Sequence, residues 1–398
     1  MSETSTNLQD ESANPQVLQL VQNKLTHSLL TPATSKKRRR SGDENDPSGT
    51  APEEEETYKS YGRHLARTCD PFTRIHMIVD HGVRTALASS DDESAQPPPQ
   101  NPTSQQKLRL QRQARLTASW EIICNTVPGF REEMIELGGN TKLRKKVCQE
   151  IQSGVDGARG DNSNKMKPNA IDWVMHHQDD TVELASVDIP KRNKKTGRGF
   201  DSPVTGEFLR PIQYPADLNT YLKIKGGHKD FRLNGKQMPA FMYPKDHTYN
   251  KDDIEDRLLE GLLPVAAAKQ IYQGPSAALQ VPGYHRGKAG NAARNGQEAL
   301  GPRDVGYVCT QLYFSLSTLG SWAEQDGDFN YRDFFWAIVD IFKDGEGQSI
   351  LDYFNHEVFG AVPESGSPEE PDAPVEVSDY DALAAQRAAK RSRLPATQ

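Results

Sequence analysis

The stretch PRDVGYVCTQLYFSLSTL, residues Pro302 to Leu319, contains the clearest helical pattern in the chain. Pro302 suits the first position of a helix, where its missing N–H removes no hydrogen bond. The apolar residues that follow recur at the three- and four-residue spacing of a single helical face. They are Val305, Val308, Cys309, Leu312, Tyr313, Leu316 and Leu319. This spacing predicts a helix with a wide face that packs into a core.

Helical signals continue on both sides of this stretch. Asp70 and Pro71 precede an apolar periodicity that begins at Ile75, and a second one runs from Leu116 to Val127. NTKLRKKVCQEIQSG, residues 140–154, predicts a short helix closed by Gly154, with another helix from Asn169. The aromatic text of residues 328–360 predicts further core helices.

The periodicity fades between residues 186 and 250, where Gly, Pro and Asp interrupt the text. We expect loops there, a helix from Asp217 to Ile224, and a short strand pair built from DFRL (230–233) and AFMY (240–243). The fold class that follows is mainly α. It is an irregular helical bundle with a loop-rich middle and at most a short β-hairpin.

Composition suggests three regions along the 398 residues. Residues 1–55 and 361–398 are polar and predict disordered tails, because such segments bury too little apolar surface to offset chain entropy. Residues 56–360 predict the helical core, as one domain or as two subdomains with a linker near residues 89–104.

The cellular compartment is indicated by what the sequence lacks. Four scattered cysteines contain no Cys-x-x-Cys pair, the N-terminus is polar, and no apolar run approaches the ~18 residues that would span a bilayer. These features predict a soluble intracellular protein with reduced thiols and no membrane partner. They leave its oligomeric state open.

A run of five cations lies in the N-terminal tail, within SKKRRRSG. An exposed basic cluster of this kind is typical of a nuclear-import signal that binds an import receptor. A chance solvated charge run or a weak tether for nucleic acid is the alternative. The candidate residues are Lys36, Lys37, Arg38, Arg39 and Arg40.

Two further basic segments are candidates for contact with a polyanion. Between Asp188 and Lys236 there are eleven Lys and Arg against five Asp and Glu, and residues 95–120 contain no acid. Such local surpluses attract nucleic acid, although for the segment after Asp188 a solvated loop is the favoured interpretation. The candidates are Lys107, Arg112, Arg115, Lys191, Arg192, Lys194, Lys195 and Arg198.

Catalytic and cofactor motifs are incomplete in this sequence. GYHRGKAG, residues 283–290, resembles a phosphate-binding loop but has three residues between its first two glycines and Ala289 in the Ser/Thr position. His76 and His81 are five residues apart, which places them on different sides of a helix. We therefore predict no metal, no cofactor and no catalytic residue.

Five blocks in the second half of the chain occur in an order that resembles one protein family. They are RGFDSPVTGEFLRP (198–211), PAFMYP (239–244), EGLLPVAAAKQIYQGPSAAL (260–279), AGNAARNG (289–296) and PRDVGYVCTQLYFSLS (302–317). The family is an uncharacterised one of basidiomycete fungi with a domain of unknown function, and the resemblance covers roughly residues 110–360. It implies no activity, but it places Arg210, Asn291 and Arg294 in the shared pattern.

Three hypotheses about function follow. The first is a nuclear helical protein that binds nucleic acid or a chromatin-associated partner. The second is a scaffold that binds another protein through the aromatic segment Phe329–Phe342, and it requires Phe334, Phe335 and Trp336 to be exposed. The third is an unrecognised enzyme in which Arg210, Asn291 and Arg294 converge with His285.

Overall fold

The structure is a computed structural model that describes residues 15–30, 57–91, 102–177, 189–283 and 290–360 together with Leu383, Gln386 and Arg387. Helices make up most of these residues. The first six helices are α1 (Pro15–Leu30), α2 (Tyr58–Thr68), α3 (Ile75–Asp91), α4 (Ser104–Thr126), α5 (Phe130–Glu136) and α6 (Thr141–His177). The next seven are α7 (Pro203–Leu209), α8 (Leu218–Lys225), α9 (Leu262–Tyr272), α10 (Asn291–Arg294), α11 (Pro302–Leu316), α12 (Tyr331–Ile341) and α13 (Gln348–Phe359). Two-residue strands β1 (Gln325–Asp326) and β2 (Phe329–Asn330) pair antiparallel. The predicted mainly helical fold class is confirmed.

Two compact units divide the chain, residues 1–158 and 159–398. The division falls inside α6, so this helix contributes to both units. The stretch near residues 89–104, where composition predicts a linker, connects α3 to α4 within the first unit.

Two glycines bring helix backbones together in the first unit. A Cβ atom added to Gly62 of α2 would lie 2.1 Å from the carbonyl oxygen of Ile151, and one added to Gly154 of α6 would lie 2.1 Å from that of Lys59. The prediction that Gly154 closes a helix is wrong, because α6 continues through it to His177 without the left-handed conformation of a helix end. α2 packs directly against α6 at this position, and only a glycine leaves room for the neighbouring backbone.

Residues 15–30 form a helix where composition predicts disorder. Val21 and Leu25 of α1 are buried in the core of the first unit. Lys24 Nζ donates to the Glu133 carboxylate at 2.5 Å and to the carbonyl oxygen of Pro128 at 3.1 Å. The average composition of the segment is polar, and it does not show that Val21 and Leu25 are four residues apart, on one face of a helix. The remaining residues of the predicted N-terminal tail lie outside the described ranges.

α11 is a buried helix of the second unit, and every residue from Asp304 to Leu316 is buried. The predicted apolar face is present, but the polar side of the helix is buried as well. Its polar groups pair inside the protein: Ser163 Oγ donates to Gln311 Oε1 at 2.7 Å, and Gln311 Nε2 donates to Tyr307 Oη at 3.1 Å. Hydrogen bonds of this kind make the burial of polar side chains tolerable.

The aromatic segment after β2 is core. Phe334 and Phe335 of α12 are fully buried, and Trp336 is 5% exposed. Tyr313 of α11 stacks on Phe329, with ring centroids 3.9 Å apart. These side chains therefore cannot form the exposed docking surface that the scaffold hypothesis requires.

The middle of the second unit is rich in loops, as predicted, but its strand pair is elsewhere. The stretches 230–233 and 240–243 overlap the 3₁₀ turns Lys229–Phe231 and Ala240–Met242, and the short hairpin is β1–β2. The predicted helix near Asp217 is confirmed as α8, with the Asp217 carboxylate accepting from the Thr220 backbone N–H at 2.8 Å.

Two described residues of the C-terminal segment, Gln386 and Arg387, contact the rest of the second unit. Arg387 donates to the carbonyl oxygen of Ile341 and lies 2.9 Å from a carboxylate oxygen of Glu255. Gln386 Oε1 accepts from the Ile254 backbone N–H at 2.7 Å. Part of the segment predicted as a disordered tail is thus held against the core, and its other residues lie outside the described ranges.

Candidate functional site

A fully buried arginine organises the basic segment ahead of α7. Arg198 is 0% exposed. Its Nε donates to the carbonyl oxygen of Lys194 at 3.0 Å, and its Nη2 donates to those of Lys191 at 3.2 Å and Arg192 at 2.8 Å. Its Nη1 donates to the carbonyl oxygen of Ser315 in the last turn of α11, at 2.6 Å. One guanidinium therefore folds the loop around itself and fastens it to the end of α11.

Lys195 lies at the same helix end. Its ammonium donates to the carbonyl oxygen of Phe314 and lies 3.3 Å from the centroid of the Phe314 ring. Burial and then the nearby charge of Arg198 lower the pKa of Lys195 to about 7. The last carbonyls of a helix have no partner within the helix and attract cations. Lys195 and Arg198 thus cap α11.

The structure corrects the polyanion prediction for these two residues. Both are buried and donate to backbone carbonyls, so neither presents its charge to a phosphate in solvent. Lys191, Arg192 and Lys194 remain exposed, and Arg192 forms an ion pair with Asp172. Counting charges along the sequence could not separate the two groups, because the count contains no information on side-chain direction.

The other three candidates lie on α4 in the first unit, spread over somewhat less than half of its circumference. At about 100° per residue, Lys107, Arg112 and Arg115 fall within about 140° of one another around the helix. Arg112 is exposed, and Lys107 and Arg115 are half-buried. No residue from Ser104 to Ala118 is buried, and residues 104–120 contain no Asp or Glu. We call Lys107, Arg112 and Arg115 the α4 cationic face.

A second basic surface was visible in the sequence only as a surplus of charge. We call it the α8 surface; it comprises Tyr214, Leu218, Leu222, Lys223, Lys225, His228, Lys229, Phe231 and Arg232. Lys223 Nζ lies 4.9 Å from the centroid of the Phe231 ring, and the Tyr214 ring meets the same ring edge-on at 5.2 Å. Cations and rings are therefore combined on α8 and the turn that follows it.

The three residues of the family pattern do not meet in a cleft. Arg210 Nη1 donates to the carbonyl oxygens of Ile212 at 3.0 Å and Tyr214 at 2.8 Å. Asn291 Nδ2 donates to the carbonyl oxygen of Ile271, and Arg294 is exposed on α10. Arg210 and Asn291 hold loops against neighbouring backbone. The fourth residue of the enzyme hypothesis, His285, lies outside the described ranges.

A cavity of about 750 Å³ lies in the second unit beside α9, α13 and the turn Ala278–Gln280. The buried ammonium of Lys269 donates there to Glu357 Oε2 at 3.0 Å and to the carbonyl oxygen of Gln280 at 2.9 Å. Its charge is therefore paired within the protein. Among the residues that the structure describes, no three His, Cys, Asp or Glu side chains are close enough to hold a metal ion.

Comparisons with known proteins bear on the second unit. Comparison with curated proteins and with solved structures gave no match. None of the helices in the described ranges has the length and apolar character needed to cross a membrane. The pattern of a family of unknown function, DUF6698, matches residues 153–359, and this match begins close to the division between the two units. The chain therefore belongs to the family of unknown function DUF6698.

Proposed function

We propose that this chain is a nuclear helical protein that binds nucleic acid. The observation that carries the proposal is the α4 cationic face, which presents Lys107, Arg112 and Arg115 along a stretch without acids. Phosphate backbones bind such cations mainly by releasing condensed counterions, whatever the base sequence. The exposed cations Lys191 and Lys194 of the second unit support the same class of ligand.

In this proposal, a polyanion binds only at certain places on the protein, because positive and negative charges are concentrated in different parts of the chain. The chain as a whole is acidic, with a formal net charge of −7, so a polyanion is repelled except where cations are concentrated locally. Arg198 contributes indirectly, because it holds the carbonyls of Lys191 and Lys194 and so shapes the loop that carries their side chains. The enzyme and scaffold hypotheses have no comparable support among the described residues.

Loss of the α4 cationic face is expected to weaken binding to a fluorescein-labelled 20-base-pair duplex by about 100-fold at 50 mM salt, since about three phosphate contacts disappear. The variant is Lys107→Ala/Arg112→Ala/Arg115→Ala in the full chain. The slope of log affinity against log salt should fall by about 2.7, or about 0.9 per contact. Fluorescence anisotropy over a salt series measures both quantities.

A matched control removes the same charge from the same unit. Lys142, Lys145 and Lys146 of α6 are exposed, and their triple alanine variant should keep most of the affinity. Equal losses in the two triple variants would contradict a role for the α4 cationic face. A wild-type chain that shows no binding at low salt would overturn the proposal.

Nuclear import and fungal origin complete the proposal. The import candidates Lys36, Lys37, Arg38, Arg39 and Arg40 lie outside the described ranges, and their support is the compact basic run itself. The five sequence blocks support a basidiomycete source. Residues 30–45 fused to a fluorescent reporter should concentrate it in nuclei, and a version with Lys36–Arg40 changed to alanine should not. A diffuse signal from the unchanged fusion argues against import.

A further inference from the structure

The α8 surface includes two apolar side chains that are largely exposed. Leu218 and Leu222 are four residues apart on one face of α8 and are 61% and 57% exposed. The buried side of the same helix carries Tyr221 and Ile224. Contiguous exposed apolar side chains mark a binding surface more often than isolated ones do, and these two leucines are neighbours on one helix face.

Aromatic rings adjoin these leucines. The His228 side chain is 46% exposed, and its ring lies 5.9 Å from the centroid of Phe231. Tyr214 Oη donates to the carbonyl oxygen of Arg232 at 3.2 Å and accepts from Gln237 Nε2 at 3.1 Å, which holds its ring against Phe231. The rings are therefore positioned by the fold before any ligand binds.

The charge of this surface is positive. Residues 214–236 contain five Lys and Arg against two Asp. One acid, Asp217, is used as the cap of α8, whereas Asp230 is exposed near His228. Lys225 forms an ion pair with Asp201 at 2.6 Å, and Lys229 and Arg232 are exposed. A ligand suited to the surface combines flat apolar faces with negative charge.

We propose that the α8 surface binds single-stranded nucleic acid, with unpaired bases on His228, Phe231 and Leu222 and phosphates on Lys229 and Arg232. Stacking needs open base faces, which a single strand offers and a duplex hides within its stack. The inference rests on the proposed function and refines it. The α4 cationic face has no aromatic ring among residues 104–118. It therefore binds the phosphates of single-stranded and of duplex nucleic acid alike.

The test compares fluorescein-labelled dT20 with a 20-base-pair duplex on the full chain. The variant Leu222→Ser/His228→Ala changes two exposed residues, so the fold should persist. It is expected to bind dT20 about tenfold more weakly, since a stacked base contributes about 1–3 kcal/mol, while duplex affinity stays within about twofold. Lys229→Ala/Arg232→Ala should lower the dT20 salt slope by about 1.4.

A matched control truncates a leucine and a histidine elsewhere in the second unit, as Leu279→Ser/His176→Ala, and should leave dT20 affinity unchanged. Equal losses of dT20 and duplex affinity in the α8 variant would overturn the inference. So would unchanged dT20 affinity in that variant, or binding of an acidic amphipathic peptide in place of dT20. If the duplex binds but the results expected for dT20 are not obtained, the proposed function is retained without the inference about the α8 surface. If neither nucleic acid binds, the proposed function itself is wrong.

Discussion

Replacing Arg198 with methionine is expected to lower the free energy of unfolding of the second unit by about 3–5 kcal/mol. The substitution leaves the carbonyl oxygen of Ser315 and those of the basic loop without their donor in a dry environment, and each such loss destabilises by about 1–3 kcal/mol. The free energy of unfolding of a typical domain is about 5–15 kcal/mol, so the substitution would remove much of the stability of this unit.

Urea denaturation followed by tryptophan fluorescence measures this effect. Arg198→Lys should recover little, because an ammonium lacks the planar fork that reaches Ser315 and the loop carbonyls together. Arg192→Ala is the matched control: Arg192 is exposed, so its loss should change stability by less than about 0.5 kcal/mol. A methionine variant as stable as the wild type would show that the loop and the end of α11 do not depend on Arg198.

Replacing Gly154 with alanine is expected to destabilise the first unit by about 3 kcal/mol. The new Cβ atom would lie 2.1 Å from the carbonyl oxygen of Lys59 and 2.9 Å from the Arg63 nitrogen, both backbone atoms of α2. A backbone atom cannot move aside as a flexible side chain can, so α2 and α6 must separate and lose packing.

Gly160 provides the control in the same helix. An added Cβ there meets nothing within 4 Å, so Gly160→Ala should be neutral or raise stability by up to about 1 kcal/mol. Thermal unfolding followed by circular dichroism compares the two variants. Equal effects of the two substitutions would contradict the close contact of α2 with α6.

Much of the fold was predictable because its signals are local. Pro302 begins α11 and Asp217 caps α8, and both features depend only on residues a few positions away. Gly154 shows the limit of such reasoning, since a glycine that ends a helix and one that admits a neighbouring helix look identical in a sequence.

The candidate site was harder to predict than the fold. Charge counts located both basic segments but assigned Arg198 and Arg112 the same role. The Ser315 partner of Arg198 lies 117 residues further along the chain, and no local pattern indicates such a contact. The α8 surface was visible in the sequence only as a surplus of charge, because exposed Leu218 and Leu222 resemble core residues until burial is known.

The fold class, several helix starts and the distribution of charge thus follow from the order of residues, since neighbours along the chain set backbone preferences and local charge. Three matters needed the folded molecule: which cations cap α11, which leucines stay exposed, and which glycine allows two helices to pack in direct contact. Each depends on atoms that are distant in the chain and adjacent in space. Burial and hydrogen bonding decide them, and both are properties of tertiary packing.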